Sequence, residues 1–196
     1  VLIEKKPRSD KYAQHRYSLF QSASVSVADW ENDGDMDLVI GTIFGQIYLL
    51  TNAGYDGGYS FEEPKLLHDG STGEVKLRKA GPHMADLDGD GDLDLLVGTE
   101  SNGLYLLRND GTRAKPKLSS PQPVMPGGKP LTDQGYRPKL DTTDWNGDGV
   151  LDLLVGTCVS QETAEGKRTT SGFVWLCLGK KPSAATKSTP ADPGGI

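Results

Sequence analysis

Apolar residues in this chain fall in short runs separated by polar stretches rich in Asp and Gly, and the runs recur in a fixed order. DLVIGT, DLLVGT and DLLVGT begin at Asp37, Asp94 and Asp152, and each leads into a second run, QIYLLTN, GLYLLRN or GFVWLCL. The link between the two runs is short and carries glycine in the first two copies, which predicts β-hairpins. A further candidate strand stands ahead of each pair, SASVSVA, AGPHMA or RPKLDTT, while YSFEEPKLL and KPKLSSPQPV follow the first two. No stretch has the apolar spacing of an amphipathic helix. Four short strands per unit, with turn residues about every ten positions, predict an all-β chain built of antiparallel four-stranded blades. The third unit departs from this plan. It stops after its third strand at Leu178, and its hairpin link is enlarged to the segment from Val159 to Gly172. YAQHRYSLF, at 12–20, is a candidate outer strand.

The polar stretches between the first and second strands carry the chemistry. They read ADWENDGDMD from Ala28, ADLDGDGDLD from Ala85 and TDWNGDGVLD from Thr143, so their first aspartates lie 57 and 58 residues apart. A period of this length marks a supersecondary unit that buries its core against the next copy. Carboxylates crowded on alternate residues repel one another unless something positive joins them. Alternating oxygens around a glycine suit calcium, which takes six to eight oxygen ligands and needs a tight turn to gather them. The candidate ligands at positions 1, 3, 5, 7 and 9 are Asp29, Glu31, Asp33, Asp35 and Asp37; Asp86, Asp88, Asp90, Asp92 and Asp94; and Asp144, Asn146, Asp148, Val150 and Asp152. Val150 can serve only through its backbone carbonyl, so the side chains of Asp35 and Asp92 are expected to point to solvent. An EF-hand is excluded, because its bidentate glutamate at position 12 is replaced by Ile40, Val97 and Val155 inside strand-like runs. Position 9 closes the loop instead.

The motif x-A-D-W-x-x-D-G-D-x-D-L-V-x-G followed by G-x-I-Y-L-L-x-N-x-G resembles the FG-GAP or VCBS repeat of calcium-binding β-propellers, including those of integrin α-subunits and many bacterial surface proteins. The resemblance covers residues 11–179. It implies a β-propeller in which each calcium loop joins the first and second strands of a blade, with up to three structural calcium ions on the fifteen positions named above. Glu31, Asn146 and Val150 depart from the pattern, so the three affinities are expected to differ. The resemblance further implies a binding or adhesion module of an exported protein, placed outside the cell, in the periplasm or at the cell surface, with a carbohydrate or protein ligand. The rivals are an accessory or catalytic propeller of a polysaccharide-degrading enzyme and a purely structural assembly piece.

Composition narrows this reading. The formal charge is −6, and 13 of the 27 acidic residues sit in the three loops, so three divalent ions would cancel the excess. No basic face of the kind a nucleic-acid partner needs is evident. No apolar run is long enough to span a membrane as a helix. Residues 1–180 are assigned to the repeats and 181–196, rich in Pro, Ala, Ser, Thr and Gly, to a flexible tail. Three blades are too few for a ring of four to eight. The chain is then either a segment of a longer propeller or half of a homodimer that closes a six-bladed ring.

The remaining residues give little support to catalysis. His15, His68 and His83 share no repeat position and no metal-binding spacing. Cys158 lies near the link of the third hairpin and Cys177 deep within it, so they are not opposite one another and are expected to be free thiols. Trp30 and Trp145, and Tyr48, Tyr105 and Trp175, recur with the period and are expected to pack between blades.

Overall fold

The computed structural model describes residues 24–54, 61–72, 75–100, 103–129, 136–163 and 166–180. The candidate strand at 12–20 and the tail at 181–196 lie outside them. Each short apolar run becomes a strand. The first sheet is ordered β1-β2-β3-β4, from β1 (Ser24–Ala28), β2 (Asp37–Gly41), β3 (Ile47–Leu50) and β4 (Lys65–His68). A small hairpin that the sequence pattern did not suggest, β5 (Ser71–Thr72) with β6 (Val75–Lys76), links it to the second sheet. That sheet contains β7 (Gly81–Ala85), β8 (Asp94–Gly98), β9 (Leu104–Leu107) and β10 (Gln122–Pro123), again in sequential order. The third sheet has three strands, β11 (Tyr136–Thr143), β12 (Asp152–Glu162) and β13 (Arg168–Cys177). All pairings are antiparallel.

The enlarged link of the third hairpin is not an irregular loop. β12 and β13 run on in continuous register from Leu153↔Cys177 to Glu162↔Arg168, so most of the insertion is a two-stranded ribbon. Its Val and Thr residues suit extended backbone. Cys158 faces Gly172 and Cys177 faces Leu153, and both thiols are free, as the register reasoning required.

The sheets stack as blades. β1 and β2 pack against β7, and β7 and β8 against β11, so the first strand of each blade lies beside the first strand of the next. Alternation along the strands sorts the apolar residues. Val39, Ile47 and Leu49 of the first blade join Met84, Leu95, Val97 and Leu107 of the second in one core, with Leu77 and Ala80 from the connection. Ile40, Tyr48 and Leu50 face the other way. On that far face, Val25 and Val27 pair with Ile40 and Leu38 and are 53% and 57% exposed. On the third blade, Val174 and Leu176 stand 74% and 42% exposed. The arc therefore ends in apolar surface on both sides.

Glycine at the end of the second strand is what lets blades approach. A Cβ on Gly41 would lie 2.2 Å from the Ala80 carbonyl oxygen, and one on Gly98 would lie 2.7 Å from that of Pro138. A Cβ on the third copy, Gly156, would have no neighbour among the described residues nearer than 3.9 Å. Gly41→Ala and Gly98→Ala are expected to cost about 1–3 kcal/mol by overpacking, while Gly156→Ala stays within about 0.5 kcal/mol; urea unfolding of the three variants checks this. His83 spans the second boundary, its Nε2 2.9 Å from Thr142 Oγ1. Burial lowers its pKa, and the nearby Asp141 only partly opposes this. The unfolded chain thus takes up the proton first. Stability is expected to fall as pH drops from about 6.5 through the lower folded-state value, and His83→Gln should flatten that part of the profile.

Candidate metal centres

Each acidic loop opens at the end of the first strand of its blade and closes on the first residue of the second. Positions 4 and 6 adopt the left-handed conformation in all three copies, with φ of 59° and 96° at Asn32 and Gly34, 78° and 93° at Gly89 and Gly91, and 76° and 80° at Gly147 and Gly149. Asn and Gly are the residues that enter this region at low cost. The winding folds the backbone around the carboxylate at position 1. Asp29 accepts from the amides of Asp33 and Gly34, both at 3.0 Å. Asp86 accepts from Gly89 at 2.8 Å and Gly91 at 3.1 Å. Asp144 accepts from Gly147, Asp148 and Gly149.

Position 9 is buried. Asp37, Asp94 and Asp152 are only 1%, 3% and 0% exposed. Each takes one amide from position 2 of its own loop and one from beyond the third strand. For Asp37 these are Trp30 and Asn52, both at 2.7 Å. For Asp94 they are Leu87 at 3.3 Å and Asn109 at 2.8 Å. For Asp152 they are Trp145 at 2.9 Å and Gly179 at 2.7 Å. A carboxylate oxygen has two lone pairs, so these bonds leave capacity toward the loop. Asn52 and Asn109 stood in the recurring N-x-G after the third strand without an assigned role. Their part is to deliver this second amide, and the Asn109 side chain also receives the amides of Gly111 and Lys117.

Carboxylate oxygens of Asp86, Asp88 and Asp90 lie within 4.8 Å of one another. Two ligands at about 2.4 Å from one ion can be no farther apart than about 4.8 Å, so these three can hold a metal ion together. Among the described residues no second set of three His, Cys, Asp or Glu side chains meets this spacing. In loop 1, Glu31 is exposed. Partial desolvation, and then Asp37 and Asp33, raise its pKa. In loop 3, Asn146 accepts from the Asp148 amide at 2.9 Å and donates to its carboxylate at 3.0 Å, which holds the two side chains side by side. Asp94 has a raised pKa, mainly from burial and further from Asp88 and Asp90, against the lowering effect of the Asn109 amide. A cation in loop 2 would relieve all three carboxylates.

Position 7 corrects the sequence reading. Asp92 does not turn its side chain to solvent, because it accepts the Arg113 amide at 2.9 Å. The carboxylate of Asp35 lies against Gly54. The Val150 side chain is half-buried, and its amide donates to Asp148 at 2.9 Å. The second-blade copy therefore uses its side chain to hold the segment after the third strand, and the first-blade copy lies beside the equivalent segment.

The aromatic pair divides. Trp30 is fully buried in the core between blades, whereas Trp145 is 62% exposed. The expectation that both pack between blades fails for Trp145, because the surface that covers Trp30 belongs to the following blade and the described residues contain none beyond the third. His68 Nδ1 accepts the Gly70 amide at 2.9 Å and His83 contacts Thr142, so both serve the fold, while His15 lies outside the described residues.

Replacing Asp37, Asp94 or Asp152 by Asn sets an NH2 group against an amide donor. Each is expected to cost about 1–3 kcal/mol even in excess chelator. Asp90→Asn keeps an oxygen for the Asp92 amide and should change chelator stability by less than about 0.5 kcal/mol, a contrast that urea titration reads directly.

The profile of the FG-GAP-like repeat family matches residues 29–97 and 86–155. No curated protein sequence matches the chain.

Proposed function

Because this chain belongs to the family of FG-GAP-like repeats, we propose that it is a calcium-loaded β-propeller module of an exported protein, and that it binds a carbohydrate or protein ligand. The observation that carries this reading is the convergence of Asp86, Asp88 and Asp90 in a loop whose plan recurs twice more around the same buried aspartate. Oxygen-only donors at this spacing favour a hard cation, and the wide coordination sphere of calcium tolerates the differing third and seventh positions better than octahedral magnesium would. The ion has a structural role. It neutralises carboxylates that otherwise repel and fixes the turn between the first two strands, so calcium adds to blade stability by mass action. Extracellular calcium is abundant enough to fill sites of modest affinity.

The ligand is expected on loops and grooves at the blade ends. One groove of about 640 Å³ lies between the segment 124–129 and the third blade, lined by Met125, Lys129, Trp175, Leu176 and Leu178. A catalytic role is the weaker reading, because ions held by protein oxygens leave no open position for a substrate. The apolar faces at both ends of the arc favour a further blade on each side, and a second copy closing a six-bladed ring would meet both needs.

Calcium at a hundred times its Kd is expected to add about 2.7 kcal/mol per independent site, seen as a rise in Tm over the chelator-treated protein. Light scattering on the same samples should give twice the chain mass. Unchanged melting with calcium would remove the metal reading, and a monomer would remove the ring. Glycan-array retention without product release would support binding, whereas release of oligosaccharides from a polysaccharide would favour the enzyme.

A further inference from the structure

We propose that Arg113 is a positioning residue that couples the ion sites of loops 1 and 2, so that calcium in either loop raises the affinity of the other. The inference rests on the calcium reading above and adds a connection between sites that the repeat pattern treats as separate.

Arg113 lies after β9, in the second blade. Its near end is tied to loop 2, with its amide on Asp92 Oδ1 at 2.9 Å and its Nε on the Gly91 carbonyl. Its far end crosses to loop 1. One terminal nitrogen donates to the carbonyls of Asp29 at 3.0 Å and Trp30 at 3.3 Å, and the Trp30 indole returns a bond to the Arg113 carbonyl at 3.0 Å. One residue thus holds positions 6 and 7 of one loop and positions 1 and 2 of its neighbour. Trp30 cannot yield, because it is fully buried and its amide is held by Asp37.

The guanidinium meets carbonyl oxygens in these bonds and leaves the carboxylates at positions 1, 3 and 5 of both loops to the ions. It therefore acts without competing for ligands. Calcium drawn to the position 7 carbonyl of loop 2 would fix the Gly91 and Asp92 peptides. That fixes Arg113, and through it the Asp29 peptide whose side chain is the first ligand of loop 1. The second ion then meets a loop already ordered, which is positive coupling, and linkage makes it reciprocal. The planar fork reaches two loops at once, whereas a lysine ammonium offers a point charge. Loop 3 supplies an internal reference: Trp145, the counterpart of Trp30, is exposed, and the third-blade segment that would correspond to the one carrying Arg113 lies outside the described residues.

Terbium, a luminescent stand-in for calcium, gives the test. In a Trp145→Phe background, Trp30 is the tryptophan beside an acidic loop, and its sensitised emission reports loop 1. Disabling loop 2 with Asp88→Asn and Asp90→Asn is expected to weaken terbium at loop 1 by about fivefold or more. With Arg113→Lys in place, loop 1 should start weaker, and the loop 2 substitutions should then have no further effect. Equal weakening in both backgrounds, or none in the parent, overturns the coupling while leaving the metal sites standing. No emission in the parent overturns both. A purely structural role for Arg113 would lower chelator stability but leave the non-additivity at zero, so melting in chelator separates the two.

Discussion

The ninth aspartate of each loop holds its blade together. It is buried, it begins the second strand, and its two oxygens take amides from the loop before it and from the chain beyond the third strand. Without those two bonds, a buried carboxylate and two buried amides would each be left with a desolvation cost. With them, three segments are fixed to one carboxylate. On the loop side of this anchor lie most of the exposed carboxylates, and on the other side the apolar second strand begins.

Stacking then follows from small residues at the right places. Where a blade has a neighbour, glycine ends its second strand and a carbonyl of the neighbour occupies the space a side chain would need. Where it has none, the equivalent glycine is open and the apolar residues around it are exposed. The fold is thus directional: one face of each blade receives the next, and the arc's two ends are complementary in kind.

Much of this was legible beforehand. The period, the three loops, the strand order and the free thiols follow from spacing and alternation, which depend on local chemistry. What escaped were features that depend on a distant segment. The role of Asn52 and Asn109 needs the return of the third strand to the loop, which no local rule supplies. Asp92 looked solvent-facing because its partner lies 21 residues on. Trp145 looked like Trp30 because both follow the first ligand, yet burial is set by the adjoining blade. The third link gave no strand signal because its polar residues carry no apolar alternation, although Thr and Ser pair well in a solvated ribbon.

The anchor at the ninth position is closed within one repeat, for its partners lie seven residues before it and 15 or 27 after it. A duplication of the gene segment therefore copies a complete fastening along with the strands it fastens, and new units can be added or lost without redesign. The longer reach in the third copy shows that the span can also absorb an insertion. Arg113 obeys a different rule, since its bonds join two units over 83 and 84 residues. It belongs to a pair of repeats and can be inherited only with both, so that boundary is less free to be shuffled than the fastening inside each unit.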